Sequence, residues 1–226
     1  MAMLAPQNLK EIIESQRPGY TLDQCFYKDP NIFQLDLDIF FFNHWVFIGH
    51  VSRIPNIGDY FLFETGNESV IIIRGKNNEI HAHHNVCRHR GSRVCLENSG
   101  NKKILVCPYH AWSYNIDGSI SSARLMPKEF ESKNWGLKKC NIKVFEGLIF
   151  INFANKPDDF EEFIKPTKKF IELHDLNNAK IAHREIYPTY GNWKLTLDNF
   201  HECYHCLPAH PEYCHVHSKD YIQAYG

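Results

Sequence analysis

Cys87-Arg88-His89-Arg90-Gly91 and Cys107-Pro108-Tyr109-His110-Ala111-Trp112 decide how this chain is read. They form a Cys-x-His and a Cys-x-x-His, with 17 residues between His89 and Cys107. Four such donors suit a two-iron, two-sulfur centre, with two thiolates on one iron and two imidazoles on the other, or a four-coordinate zinc. A zinc finger usually supplies a Cys pair and then a His pair, each closing a loop on one ion. Here each loop carries one ligand of each type, so each must reach both metals. The pattern therefore favours the two-iron centre, with Cys87 and Cys107 on the inner iron and His89 and His110 on the outer one. Gly91 and Pro108 suit tight loops whose backbone N–H groups turn toward sulfide.

Outward from the loops, the texture is that of a small all-β unit. Trp45 to Gly49 reads as a buried strand, and Asp59 to Glu64 and Ser69 to Arg74 are rich in β-branched and aromatic residues on either side of a turn. Ile80 to Ala82 leads into the first loop, Lys103 to Val106 delivers Cys107, and Trp112 to Ser119 continues as strand and turn. Lys138 to Val144 and Leu148 to Asn152 close the unit around Glu146-Gly147. Before it, Leu9 to Ser15 and Pro30 to Phe41 predict helices, the second entered at a proline. Composition shifts at Asn155 to Asp159; beyond it Phe160, Phe163, Ile164, Phe170 and Ile171 predict a helix, Ala182 to Tyr187 a strand, and Leu197 to Cys206 another helix. The expected divisions are an arm and helix at 1–44, the two-loop domain at 45–155 and a further domain beginning at 156–226.

At 226 residues the chain can bury a substantial core. A formal net charge of -1, with 23% charged residues, supplies no field for nucleic acid, and the pairs Lys102-Lys103 and Lys138-Lys139 read as solvated turns. Eight cysteines are too sparse for a secreted disulfide scaffold, and Cys25, Cys95, Cys140, Cys203, Cys206 and Cys214 show no framework spacing. Met1 to Pro6 lacks the basic and apolar regions of a secretory signal, and the most apolar window, Ile39 to Val51, is too short and polar for a bilayer. The expectation is a cytoplasmic, reducing location with no membrane partner.

A second group lies in Asn192-Trp193-Lys194 through Asp198, Asn199, Glu202, Cys203, His205, Cys206 and His210. On a helix, Glu202 and His205 share a face with Asp198 and Asn199, whereas His210, past Pro208, must return along another path. His205 and His210 plus one carboxylate would make a facial triad for non-haem iron(II), against competing readings as a zinc site or as core or surface histidines. Glu202 is either that carboxylate or the acceptor of a histidine ring N–H. His201 is a spare candidate, and His215 and His217 read as solvent-facing.

Taken together, these motifs resemble those of the oxygenase components (alpha subunits) of Rieske non-haem iron oxygenases. The Cys-x-His-Arg-Gly and Cys-Pro-Tyr-His-x-Trp loops match the oxygenase form, and Asn192-Trp193-Lys194 with Asn199, Glu202, His205 and His210 matches the catalytic-iron segment. Glu202-Cys203-Tyr204-His205-Cys206 is most similar to the carnitine, glycine betaine and choline monooxygenase branch, which oxidises quaternary ammonium compounds. The resemblance implies an all-β Rieske domain (ISP-like) inserted in an α+β helix-grip (SRPBCC-like) catalytic domain, of which 156–226 is the beginning. It implies a 2Fe-2S cluster on Cys87, His89, Cys107 and His110, and Fe(II) on His205 and His210. Glu202 becomes the bridge between one subunit's cluster and its neighbour's iron, within a homotrimer. Asn199 belongs to the same catalytic segment. Electrons would come from NAD(P)H through a separate flavin and iron–sulfur reductase, and O2 and a small-molecule substrate would meet at the iron for monooxygenation.

Two departures accompany the resemblance. Asn199 and Glu202 are three apart, where ring-hydroxylating dioxygenases typically have four and an aspartate. The family's third iron ligand is a late aspartate, and this chain stops 16 residues after His210, so a piece of a longer product is expected. Tyr187, Tyr190 and Phe200 are available to a cationic substrate. The competing expectations are a pure electron carrier and a zinc-stabilised interaction domain.

Overall fold

Ser69-Val70-Ile71-Ile72-Ile73-Arg74 is an unbroken run without the alternation of a half-exposed strand, and in the computed structural model it is buried on both faces. The structure describes residues 6–127 and 129–217. Helices α1 (Pro6–Glu14), α2 (Cys25–Lys28) and α3 (Pro30–Asp36) come first, α3 running on into a π-helical turn at Leu37–Phe41. Ten strands follow: β1 (Val46–His50), β2 (Asp59–Thr65), β3 (Glu68–Arg74), β4 (Ile80–His84), β5 (Ser99–Asn101), β6 (Ile104–Val106), β7 (Ser113–Asn115), β8 (Ile120–Ser122), β9 (Asn141–Phe145) and β10 (Leu148–Asn152). Helices α4 (Phe160–Ile171), α5 (Trp193–His201), α6 (Cys206–Ala209) and α7 (Pro211–Val216) complete the described chain.

Leu37–Glu185 is one compact unit, inserted in sequence between Met1–Asp36 and Ile186–Gly226, whose described parts form the other. Within the inserted unit three antiparallel sheets stack, ordered β1-β10-β9, β4-β3-β2-β5 and β6-β7-β8. The central sheet has apolar residues on both sides. Ile71 and Ile73 of β3 face a core with Leu105, Trp112 and Tyr114, while Val70 and Ile72 face Ile48, Ile149 and Ile151. Each of the four β3 side chains is 0% exposed, which stabilises the strand by roughly 1.5–3 kcal/mol per side chain.

The turn between β9 and β10 is built on Glu146 and Gly147, both left-handed at φ 47 and φ 76. Two such residues between Phe145 and Leu148 give the hairpin its native twist. A Cβ on Gly147 would collide with the buried His50 ring at Nε2, so glycine is required here. Helix α4 covers the outer face of β10, packing Phe160 and Ile164 against Trp45 and Phe150, and Asp159 caps it by accepting the Glu162 N–H. The strand expected at Ala182 to Tyr187 does not form. These residues are exposed and enter no ladder among the described residues, so their propensity finds no partner to pair with.

Among the described residues no helix is long and apolar enough to cross a membrane.

Candidate metal centres

The two ligand loops are the same turn made twice. In the first, Cys87 N–H donates to Ser92 O at 2.8 Å and Gly91 N–H donates back to Cys87 O at 3.0 Å. In the second, Cys107 N–H donates to Trp112 O at 2.8 Å and Ala111 N–H donates back to Cys107 O at 3.1 Å. The fifth residue is left-handed in both, Gly91 at φ 74 and Ala111 at φ 58. Glycine takes that conformation freely; alanine holds it at a cost of roughly 1–3 kcal/mol that the surrounding bonds must offset.

This frame sorts the candidate ligands by depth. Cys87 and Cys107 are 3% and 2% exposed and remain free thiols, with burial raising the Cys87 thiol above its ordinary range. His89 and His110 stand exposed at the rim with ring centroids 4.6 Å apart, and His89 stacks on Trp112 at 4.8 Å. Because His89 is the third residue of its loop and His110 the fourth of its own, equivalent turns present the two imidazoles side by side. Among the described residues, no three His, Cys, Asp or Glu side chains converge as a single ion would require. A buried thiol pair beside an exposed imidazole pair fits a two-metal cluster that takes two ligands at each end.

Two residues that sequence reasoning missed hold this frame. Tyr114 is 0% exposed; its hydroxyl accepts Arg88 N–H at 3.0 Å and lies 3.2 Å from Cys87 Sγ. Burial, with the Cys87 contact next, raises the phenol well above its usual pKa and keeps it a donor. Asn85 is also 0% exposed; its Oδ1 accepts Val94 N–H and Cys95 N–H, while its Nδ2 donates to Cys95 O and Ser69 Oγ. Position two before Cys87 was the only signal for Asn85, and the β7 strand pattern the only one for Tyr114.

In the other unit, the Asn192-Trp193-Lys194 motif anchors a helix. Asn192 caps α5 by accepting Lys194 N–H at 3.1 Å. Lys194 is buried, ion-pairs with the buried Asp36 and donates to Phe26 O at 3.2 Å, while Trp193 Nε1–H donates to the same Asp36 carboxylate at 3.2 Å. Asp198 accepts from Tyr27 hydroxyl at 2.6 Å, which engages the carboxylate that shares the helix with Asn199.

Helix was expected over Leu197 to Cys206, but α5 starts at Trp193 and ends at His201, with Glu202 extended at φ -109, ψ 115. The Glu202 carboxylate is the reason for the break. It accepts His205 N–H at 3.2 Å and lies 3.2 Å from His205 Nδ1, replacing the helical bond that residue 205 would have made. These contacts, led by the His205 hydrogen bond, hold the Glu202 carboxyl below its ordinary range. Glu202 and His205 thus meet without sharing a helix. With Nδ1–H donated to Glu202, Nε2 is the nitrogen left for a metal.

His205 and His210 lie with ring centroids 5.4 Å apart, and both line a cavity of about 650 Å³ with Asn199, Phe200 and His201. Glu212 and Tyr213 line it as well; neither was singled out from sequence, although Glu212 follows Pro211 at the start of α7. Phe200 is at the cavity, but Tyr187 and Tyr190 are exposed and do not line it. His215 is exposed as expected, while His217 is half-buried and stacks on Tyr213 at 3.8 Å. Cys203 and Cys206, which showed no framework spacing, form a disulfide across His205. The two imidazoles fit one iron as a pair of neighbouring ligands.

Residues 44–145 match the family profile described as Rieske [2Fe-2S] domain, and residues 176–224 that described as Ring hydroxylating alpha subunit (catalytic domain). The chain is 38% identical to the glycine betaine monooxygenase oxygenase subunit of Pseudomonas aeruginosa, over 89% of this chain and 47% of that one. It is 34% identical to the carnitine monooxygenase oxygenase subunit of Escherichia coli (strain K12), over 85% of this chain and 53% of that one. The crystal structure of the quaternary ammonium Rieske monooxygenase CntA in complex with L-carnitine superimposes with a TM-score of 0.77 at 31% identity, covering 86% of this chain and 56% of that one. The chain thus spans about half the length of the relatives it matches. With the paired ligand loops in an inserted β-rich unit and the second motif in a helical segment, the chain belongs to the Rieske-type oxygenase alpha subunits.

Proposed function

We propose that this chain provides the electron-entry and iron-binding parts of an oxygenase component that monooxygenates a quaternary ammonium or N-methylated compound. Cys87, Cys107, His89 and His110 would hold the 2Fe-2S cluster, and His205 and His210 would hold Fe(II). When bound, these groups supply one-electron transfer and oxygen activation. The chain's own residues do the positioning: the repeated turn sets the depth of thiol and imidazole, Tyr114 donates toward Cys87, and Glu202 fixes the His205 tautomer. The electron source is a flavin and iron–sulfur reductase drawing on NAD(P)H. In a homotrimer Glu202 would bridge from His205 to the neighbouring subunit's cluster, and Asn199 would line the substrate side.

The observation that carries this reading is the doubled turn, with its thiols buried and its imidazoles at the rim. Metal and sulfide analysis with a visible spectrum tests it. Two irons and two acid-labile sulfides per chain are expected, with a third iron that His205→Ala or His210→Ala removes while the cluster spectrum stays. Zinc without sulfide would overturn the reading. Oxygen uptake with glycine betaine, carnitine and choline beside a competent reductase then tests the substrate class.

A second reading is an electron carrier without oxygenation. Cluster uptake with no third iron would select it.

A further inference from the structure

The cavity lined by His205 and His210 also has sulfur in its wall, because Cys203 and Cys206 line it too. Backbone bonds bring these side chains together. Cys206 N–H donates to Cys203 O at 3.0 Å, a turn that sets the two cysteine Cα atoms 5.0 Å apart and joins their sulfurs as a disulfide. His210 N–H donates to Cys206 O at 2.9 Å across α6, so Cys206 and His210 stand on one side of a helical turn. His205 lies inside the disulfide loop, its Nδ1 taken by Glu202 and its Nε2 left for a metal. Cys203 is half-buried and Cys206 buried, so a reductant reaches the bond at Cys203. In the disulfide both sulfurs are spent on each other and are poor ligands. The cavity then offers a metal nitrogen and oxygen, from His205, His210 and the Glu212 carboxylate. Cleaving the bond adds two thiolates to two imidazoles, a softer donor set and the one zinc takes as a tetrahedral Cys2His2 site.

We infer that the Cys203–Cys206 bond is a redox gate on the metal choice of this cavity: closed, it leaves His205 and His210 to iron, and open, it completes a zinc site with them. The inference rests on the reading of His205 and His210 as a ligand pair and adds two residues to it. Opening takes two electrons and two hydrogens from a dithiol: the S–S bond breaks, two S–H bonds form, and the dithiol leaves as its own disulfide. Zinc then displaces both thiol protons to the solvent. Closing passes two electrons to hydrogen peroxide, which takes up the thiol hydrogens and leaves as two waters. Zinc carries no redox chemistry, so the open form silences the centre under reducing conditions, and an oxidant restores the nitrogen and oxygen set.

The test uses the cluster-loaded chain, in which the cluster keeps Cys87 and Cys107 from zinc. Zinc is offered in competition with a chromophoric chelator, to the air-oxidised chain and to the chain reduced with a phosphine, which consumes one water and leaves as its oxide. Reduction should free two thiols and raise the zinc affinity by about a hundredfold. X-ray absorption at the zinc edge, which is blind to the cluster irons, should show two sulfurs and two nitrogens around the ion. This arm needs no variant. Cys203→Ser with Cys206→Ser should abolish the response to the phosphine, and Cys214→Ser, which changes a cysteine outside the cavity wall, should leave it intact. His210→Ala should weaken zinc in the reduced chain by about tenfold and remove one nitrogen from the shell. A zinc shell without sulfur, an affinity indifferent to the phosphine, or a sulfur shell and affinity unchanged by His210→Ala would each overturn the inference. Iron is measured separately on the oxidised chain. If Fe(II) binds as well after His205→Ala and His210→Ala as before, the parent reading fails, and it does so before any zinc is added.

Discussion

The Tyr114 hydroxyl stands 3.2 Å from Cys87 Sγ while accepting Arg88 N–H at 3.0 Å, so a metal-bound, proton-free sulfur there would receive its hydrogen. A donor there stabilises the more negative, reduced state of a cluster on that sulfur. Tyr114→Phe should therefore lower the reduction potential by roughly 40 mV, the one-electron equivalent of about 1 kcal/mol of hydrogen bond. A spectroscopic redox titration measures it, and an unchanged potential would remove Tyr114 from this role.

Asn85 satisfies four hydrogen bonds with no exposure, two of them to the N–H groups of Val94 and Cys95. Asn85→Ala should cost about 2–4 kcal/mol, because it strands buried donors as well as removing bonds. Asn85→Asp keeps the acceptor for Val94 and Cys95 but turns an oxygen toward Cys95 O and buries a charge, so it should lose at least as much. Urea denaturation followed by loss of cluster absorbance ranks the two; a smaller loss for Asp would contradict the accounting.

Lys194 and Asp36 place opposite charges in the buried part of the α5 anchor, with Trp193 bonded to the same carboxylate. Lys194→Met leaves Asp36 buried and unpaired, at an expected cost of about 3–5 kcal/mol. Adding Asp36→Asn should return most of that loss, since the pair itself contributes little net stability. Thermal melts of the two variants, read by circular dichroism, distinguish a pair from two independent contributions.

Burial pushes the His83 imidazole down to about 4, and only its Nε2–H is engaged, donating to Ile116 O at 2.9 Å. An unfolded chain titrates near ~6.5, so between there and about 4 the unfolded state binds the extra proton. Stability present above that window is lost as pH falls through it, by about 3 kcal/mol in total. His83→Gln, which keeps an amide donor for Ile116, should flatten this part of the stability profile. Denaturation midpoints taken from pH 7 to 4.5 give the slope directly.

How far the chain could be read from its residues depended on whether a feature was local. The strands carrying the core were legible because the β3 run and its neighbours advertise burial through β-branched residues. Strand β5 was not, since Ser99-Gly100-Asn101 has no strand propensity and is held by pairing with Asp59 to Phe61. The Glu202 to His205 contact was read as two residues on one helical face. What sequence spacing did not carry is that a carboxylate three residues upstream can take over the backbone bond and end the helix there. The Asn192-Trp193-Lys194 motif was visible as a match, but its work lies at Asp36, more than 150 residues earlier in the chain. The Cys203–Cys206 bond and the unpaired Ala182 to Tyr187 segment likewise depend on three-dimensional neighbours.

The doubled turn also separates local closure from long-range closure. Each ligand loop closes on itself through two backbone bonds over six residues, a short-range event that needs no distant partner. The bonds from Tyr114 to Cys87 and Arg88 span 27 and 26 residues, so tying the two loops together closes a longer stretch of chain than forming either one. A cluster held by Cys87, His89, Cys107 and His110 would meet thiols and imidazoles already set at different depths. Removing such a cluster would leave the backbone bonds within each loop in place, so refilling would be a local repair rather than a second folding of the unit.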